Sequence, residues 1–296
     1  MSGDENSKSL FISAPDGLKL HVRCHGDRSA DALPVVCLPG LARTTVDFDE
    51  LAGGLTNGND ARRVIAVDYR GRGQSEYDSD PANYSVAVEL ADVLAVLTAL
   101  DVGRAVVVGT SRGGILAMLL ATVRPALLAG VVLNDIGPVI EPKGLVRIKG
   151  YVGKLPPARS YEEGAEILRR LFDAQFPKLD DKAWLAAAHR TWQQRDGALA
   201  PTYDVRLSET LAGIDVEQPL PALWKEFDAL QAVPMLVIRG ANSDLLTEQT
   251  VAAMAERRDE METLVVPDQG HAPLLAEAAV MRRIARFVTD CETASR

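Results

Sequence analysis

Residues Val106 to Met118 constrain this chain more than any other stretch. Three valines lead into Gly109-Thr110-Ser111-Arg112-Gly113, and an apolar run follows from Gly114 to Met118. A valine run reads as a buried strand and the apolar run as a helix, so Ser111 sits on a sharp strand-to-helix turn. The flanking glycines let neighbouring backbone come close while the serine is held in a strained conformation with its hydroxyl outward. The N–H groups that open the helix then face whatever is attached to that hydroxyl, a setting suited to stabilising an oxyanion.

The rest of the chain repeats this strand-then-helix pattern. Leu10 to Ile12 and Leu18 to Val22 alternate around the turn Ala14-Pro15-Asp16-Gly17, which predicts an opening hairpin. Val35 to Leu38 predicts a strand ending at Pro39-Gly40-Leu41, with a helix through Val46, Phe48, Leu51 and Leu55. A further strand is predicted over Arg63 to Val67, a helix over Val86 to Leu100 and a strand over Gly130 to Leu133. Strands are also predicted at Pro234 to Arg239 and Thr263 to Val266, with helices from about Thr247 and from Pro273. Such alternation implies an α/β chain with a parallel sheet covered on both faces.

Between Val139 and Ala232 the alternation stops, and the stretch carries Pro142, Pro156, Pro157, Pro177, Pro201, Pro219 and Pro221 with most of the large aromatics. It reads as a helical cap, 139–232, inserted into a core formed by 1–138 and 233–296. Trp184, Trp192 and Trp224 fall within it and are candidate substrate contacts, although aromatics in helices more often fill cores.

A serine hydroxyl becomes a nucleophile only when a base takes its proton, and the base needs a carboxylate to orient it. Of four histidines, His21 and His25 belong to the hairpin and His189 to the insert, whereas His271 follows the last strand. Loops after parallel strands emerge at one sheet edge, so His271 arrives beside Ser111 and is the candidate base. The orienting acid should leave a strand end as well. Asp244, after the penultimate strand, is the first choice and Asp135, one strand earlier, the alternative; sequence alone does not separate them. The backbone N–H groups of Leu41 and Arg112 are the candidate oxyanion donors. A cation in the first turn of a helix opposes its dipole, so the Arg112 side chain needs a partner. A structural carboxylate is the favoured one, and an acidic group on the substrate the second. The loop of Asp68, Arg70 and Arg72 reads as a salt-bridged turn with Ser75 capping its exit.

Composition narrows the class. A formal charge of -9 argues against a nucleic-acid partner. Met1 to Ser9 lacks the pattern of a signal peptide, and no apolar run is long enough to span a bilayer. Three widely spaced cysteines argue against a disulfide framework or a zinc site and fit a reducing cytoplasm. The expectation is a cytoplasmic protein acting on a small molecule, without cofactor, metal or membrane partner; the sequence leaves its oligomeric state open.

Leu38-Pro39-Gly40-Leu41, Asp68-x-Arg70-Gly71-x-Gly73-x-Ser75, Gly109-x-Ser111-x-Gly113-Gly114, Ser243-Asp244 and Gly270-His271 together resemble the α/β-hydrolase superfamily. The resemblance implies a mostly parallel eight-stranded sheet, a helical cap and a serine–histidine–aspartate triad. Pro39 departs from it, since a histidine often precedes the oxyanion glycine, but the backbone donor is unaffected. Serine at the nucleophile position sets the chain apart from the dehalogenase and epoxide-hydrolase branches. The implied activity is hydrolysis of a small carboxylic ester or lactone through an acyl-enzyme. Carbon–carbon bond hydrolysis, acyl transfer with the same triad, and a non-catalytic small-molecule receptor are the alternatives.

Overall fold

The computed structural model describes residues 7–28, 30, 32–57, 61–215, 218 and 220–293. The polar start at 1–6 and Pro219, both part of the sequence reading, lie outside the described residues. The chain opens with β1 (Ser7–Ser13) and β2 (Lys19–His25), followed by β3 (Val35–Leu38), α1 (Asp49–Thr56), β4 (Val64–Val67) and α2 (Val86–Ala99). Next come β5 (Ala105–Thr110), α3 (Arg112–Val123) and β6 (Leu128–Asn134). A long excursion follows, through α4 (Pro142–Tyr151), α5 (Tyr161–Phe172), α6 (Asp181–Thr191), β7 (Trp192–Arg195), β8 (Ala198–Pro201), α7 (Glu209–Ala212) and α8 (Trp224–Asp228). The core resumes with β9 (Met235–Gly240), α9 (Glu248–Arg257), β10 (Glu262–Val266) and α10 (Ala278–Thr293).

Eight strands form one sheet in the order β1-β2-β4-β3-β5-β6-β9-β10. The pairs β1/β2 and β2/β4 are antiparallel and the remaining pairs parallel. Period-two alternation divides the strand residues between two apolar layers. Val36, Leu38, Val107, Val131 and Val237 face one core with α2 and α3, while Val35, Cys37, Val106, Val108 and Val132 face another with α1 and α10. Strands buried on both faces read as near-continuous valine runs, which is why they were visible in the sequence.

Two local expectations are corrected. The excursion is not helical throughout, because β7 and β8 pair as an antiparallel hairpin. Asp196 and Gly197 turn it with φ of 51° and 81°, and an Asp-Gly pair at positive φ is the chemistry of a two-residue hairpin turn. The last helix begins at Ala278, not at Pro273, because the backbone there is tied into the preceding loop: the Leu274 N–H donates to Gln269 Oε1 and the Pro273 carbonyl accepts from Asn134. No helix among the described residues is long and apolar enough to cross a membrane.

Candidate active site

Ser111 lies between β5 and α3 with φ 51° and ψ −111°, a conformation that costs on the order of 1–3 kcal/mol for a non-glycine residue. The two glycines make that turn sterically feasible. A Cβ on Gly109 would lie 2.5 Å from the Gly113 carbonyl, and one on Gly113 would lie 2.0 Å from the Leu38 carbonyl oxygen. Strand β3 therefore passes directly against the start of α3. The loop after β3 reaches the serine as well, since a Cβ on Gly40 would sit 3.9 Å from Ser111 Cβ. Arg112 is the first residue of α3, so its N–H belongs to the set a helix cannot pair internally.

The loop after β10 carries His271 to the same edge. His271 Nε2 is 2.9 Å from Ser111 Oγ, and His271 Nδ1 is 2.8 Å from Asp135 Oδ2. Asp135 follows β6 directly, is fully buried, and has φ 55°. Its carboxylate also accepts the Gly240 N–H at 2.8 Å and the Ser243 hydroxyl at 2.5 Å. The Ser243 hydroxyl in turn accepts N–H groups from Leu245 and Leu246.

Asp244, the first-choice acid of the sequence reading, stands elsewhere. Its two oxygens accept from Arg147 Nε at 2.7 Å and Nη2 at 2.8 Å, tying α4 to the loop after β9. Burial works against its charge, but the Arg147 guanidinium outweighs that and holds the carboxyl below the usual range. The cause of the exchange is a tight turn after β9. Ser243 N–H donates to Gly240 O and Asn242 N–H to Gln269 O, which turns Ser243 inward on Asp135 and Asp244 outward to the insert. Serine, acid, histidine is the chain order with either aspartate, so that order did not discriminate.

The Arg112 side chain found its structural carboxylate: Nε donates to Glu89 at 2.7 Å and Nη2 to the Tyr84 carbonyl. Glu89 is fully buried and also pairs with Arg72 at 2.7 Å. The second reading, a substrate contact, is not supported, because Arg112 is not among the residues that line the cavity.

A cavity of about 220 Å³ is lined by Ser111 and His271, by Gly40 and Leu41, and from the insert by Tyr151, Leu155, Leu168, Phe172, Phe176 and Trp184. Of the three tryptophans named as substrate contacts, Trp184 alone lines it. Trp192 is buried beneath α5, 3.1 Å from the place of a Gly164 Cβ, and fills the insert's own core. Trp224 stacks under the Arg257 guanidinium at 4.4 Å and packs edge-on against Phe227.

Comparisons with known proteins identify the family. The sequence model of the alpha/beta hydrolase family matches residues 35–283. The chain belongs to that family. A 3-hydroxybutyrate-oligomer hydrolase of Cupriavidus necator is 33% identical over 94% of this chain and 97% of its own length. An esterase of Mycobacterium tuberculosis is 28% identical over 86% of this chain and 82% of its own. Among solved structures, an alpha/beta hydrolase from Novosphingobium aromaticivorans superposes with a TM-score of 0.89 at 38% identity, covering 97% of this chain and 99% of the other.

Several polar residues around the site of this alpha/beta hydrolase were not singled out from sequence. Gln175 of the insert accepts the His271 N–H through Oε1 at 3.3 Å and, through its backbone carbonyl, the Asn242 amide. Asn134, at the end of β6, donates to Thr110 Oγ1 and to the Pro273 carbonyl, fixing the His271 loop against β5. Arg43 and Arg190 also line the cavity. No motif marks an isolated Gln, Asn or Arg in a loop or helix end, whereas Ser243 was visible as half of the Ser243-Asp244 pair.

Proposed function

We propose that this alpha/beta hydrolase is a serine esterase acting on small esters of hydroxyacids through a Ser111–His271–Asp135 triad. The observation that carries this reading is the continuous hydrogen-bonded line from Asp135 through His271 to Ser111, ending in an apolar cavity. His271 takes the Ser111 proton as Oγ attacks the ester carbonyl, and Asp135 holds the ring with Nδ1–H toward itself and stabilises the imidazolium. The Leu41 and Arg112 N–H groups receive the oxyanion, each such donor contributing about 10²- to 10³-fold. His271 then protonates the departing alcohol. It next takes a proton from water, which attacks the acyl-enzyme, releases the acid and restores Ser111.

Residues 139–232 act as a cap that supplies the apolar wall and excludes water, while 1–138 and 233–296 provide the sheet and the triad. The cavity volume suits a short acyl chain. The Cupriavidus necator relative supports oligomeric 3-hydroxyacid esters as the substrate class. A panel of p-nitrophenyl esters of graded acyl length, a 3-hydroxybutyrate dimer, lactones and a ring-cleavage diketone tests the reading. Hydrolysis of short esters and the dimer, abolished by Ser111→Ala, is the expected result. Cleavage of the diketone alone would move the reading to carbon–carbon hydrolysis, and no turnover together with no labelling of Ser111 by a fluorophosphonate would leave a receptor.

A further inference from the structure

The cavity that holds Ser111 carries two guanidinium groups that the triad does not use. Arg43 follows the Gly40-Leu41 loop, and its Cγ lies 3.3 Å from where a Gly40 Cβ would stand, a point itself 3.9 Å from Ser111 Cβ. Gly40 thus separates the stem of Arg43 from Ser111. Arg190 comes from the last turn of α6, on the insert side of the same cavity.

Both cations lie nearest to Asp47. Arg43 Nε donates to Asp47 Oδ2 at 2.7 Å, Arg43 Nη2 bonds Asp47 Oδ1, and Arg43 Nη1 reaches Thr191 Oγ1 at 3.3 Å. Arg190 meets Asp47 only at 3.6 Å and makes no side-chain hydrogen bond among the described residues. Its side chain is nevertheless only 17% exposed. Glu50, exposed on the cavity rim, and Asp49, which pairs with Arg23, act on Arg190 only through longer-range attraction. Arg43 spends its donors on Asp47 and Thr191, whereas the Arg190 guanidinium keeps a planar set of donors that no described side chain takes up, on the wall of the cavity that holds Ser111, and a substrate carboxylate is the planar acceptor that matches it. Burial, helped by the neighbouring Arg43, lowers the affinity of Arg190 for its proton, and Asp47, Glu50 and Asp49 offset this only in part.

We propose that Arg190, with Arg43 behind it, is a carboxylate-binding subsite that selects esters whose leaving alcohol carries a free acid. The inference rests on the esterase reading and deepens it by naming the substrate's charge and where it sits. In an ester of a 3-hydroxyacid, two carbon atoms separate the scissile oxygen from the terminal carboxylate. An acid that near the ester falls beside the oxyanion loop, where Arg43 begins. The enzyme then cleaves the last ester bond of a free-acid oligomer, releasing one hydroxyacid from the carboxyl end.

The test compares 3-(butanoyloxy)butanoate with 3-(butanoyloxy)butanamide, which present the same scissile ester with and without the charge. The wild-type enzyme is expected to favour the acid by about tenfold or more in kcat/KM. In Arg190→Gln that ratio falls to near one, and in Arg190→Lys a large part of it returns. Because each ratio is taken within one protein preparation, partial loss of active enzyme cancels. A wild-type ratio near one, or a ratio unchanged in Arg190→Gln, overturns the subsite. If the wild type hydrolyses p-nitrophenyl butanoate but neither substrate of the pair, the subsite again falls and the esterase reading stands. If p-nitrophenyl butanoate is not hydrolysed either, the esterase reading fails and takes this inference with it.

Discussion

His271 Nδ1 faces Asp135 Oδ2 at 2.8 Å, while Asp244, four residues beyond the end of β9, is occupied on both oxygens by Arg147. The two aspartates are therefore separable by mutation. Asp135→Asn keeps the shape but leaves His271 Nδ1–H without its anion, and kcat is expected to fall by about 10³- to 10⁴-fold. Asp244→Asn removes no hydrogen-bond partner of the His271 ring and is expected to keep kcat within about tenfold of wild type. Steady-state kinetics on a p-nitrophenyl ester decides it, and the reverse ranking would restore Asp244 as the acid.

The Arg147–Asp244 pair also predicts a pH effect. Asp244 has a folded-state pKa below its ordinary value, so its contribution to stability is fully present above about pH 4 and is lost as pH falls through the lowered value. Arg147 and Asp244 side chains are 19% and 10% exposed, so the pair is screened little by solvent. At pH 7 Asp244→Asn is expected to cost about 1–3 kcal/mol in urea unfolding. The gap in Tm between wild type and variant should be constant from pH 7 to pH 5 and narrow below pH 4. A gap that widens with acid would contradict the assignment.

How much of the site was legible follows from what each residue needs from its neighbours. The meeting of Ser111 and His271 is legible because local pattern places both: a strained turn demands glycines on both sides, and a histidine after the last parallel strand has one sheet edge to go to. The choice between Asp135 and Asp244 was not readable, because it depends on which way a five-residue turn rotates, and that is set by hydrogen bonds to Gly240 and Gln269. The strands were visible through their valine runs. The β7/β8 hairpin is signalled only by Asp196-Gly197, because neither Trp192–Arg195 nor Ala198–Pro201 alternates apolar and polar residues. Trp192 and Trp224 resembled ligand contacts from sequence, and only packing against Gly164 and Arg257 assigns them to structure.

A second serine–histidine–aspartate line exists in the molecule and supplies a control. His21 Nε2 is 2.9 Å from Ser9 Oγ, and His21 Nδ1 is 2.7 Å from Asp68 Oδ2. Asp68 also accepts the Thr45 and Gln74 N–H groups, so this line ties loops to the hairpin. Ser9 lies on β1, with neither a strained turn nor a helix start beside it, and lines no part of the catalytic cavity. Hydrogen bonding alone does not make a nucleophile; the turn and the oxyanion donors must be present too. A fluorophosphonate is expected to modify Ser111 alone by peptide mass mapping, and Ser9→Ala to retain wild-type kcat with a stability change under about 1 kcal/mol. Modification of Ser9 would refute this.

The remaining prediction concerns the cation next to the nucleophile. Arg112 opposes the dipole of α3, yet its guanidinium is held by Glu89, which is 0% exposed and also neutralises Arg72. Truncating Glu89 leaves two guanidinium groups facing each other across a buried gap, whereas truncating Arg112 leaves Glu89 still paired with Arg72. Glu89→Ala is therefore expected to destabilise by about 3–5 kcal/mol, and Arg112→Ala by clearly less. Because Arg112 does not line the cavity, its truncation should change kcat/KM equally for the free-acid ester and its amide, while its backbone N–H stays at the start of α3. Urea unfolding gives the first comparison and the paired substrates the second. A selective loss on the acid in Arg112→Ala would mean that this side chain, and not Arg190, reads the substrate's charge.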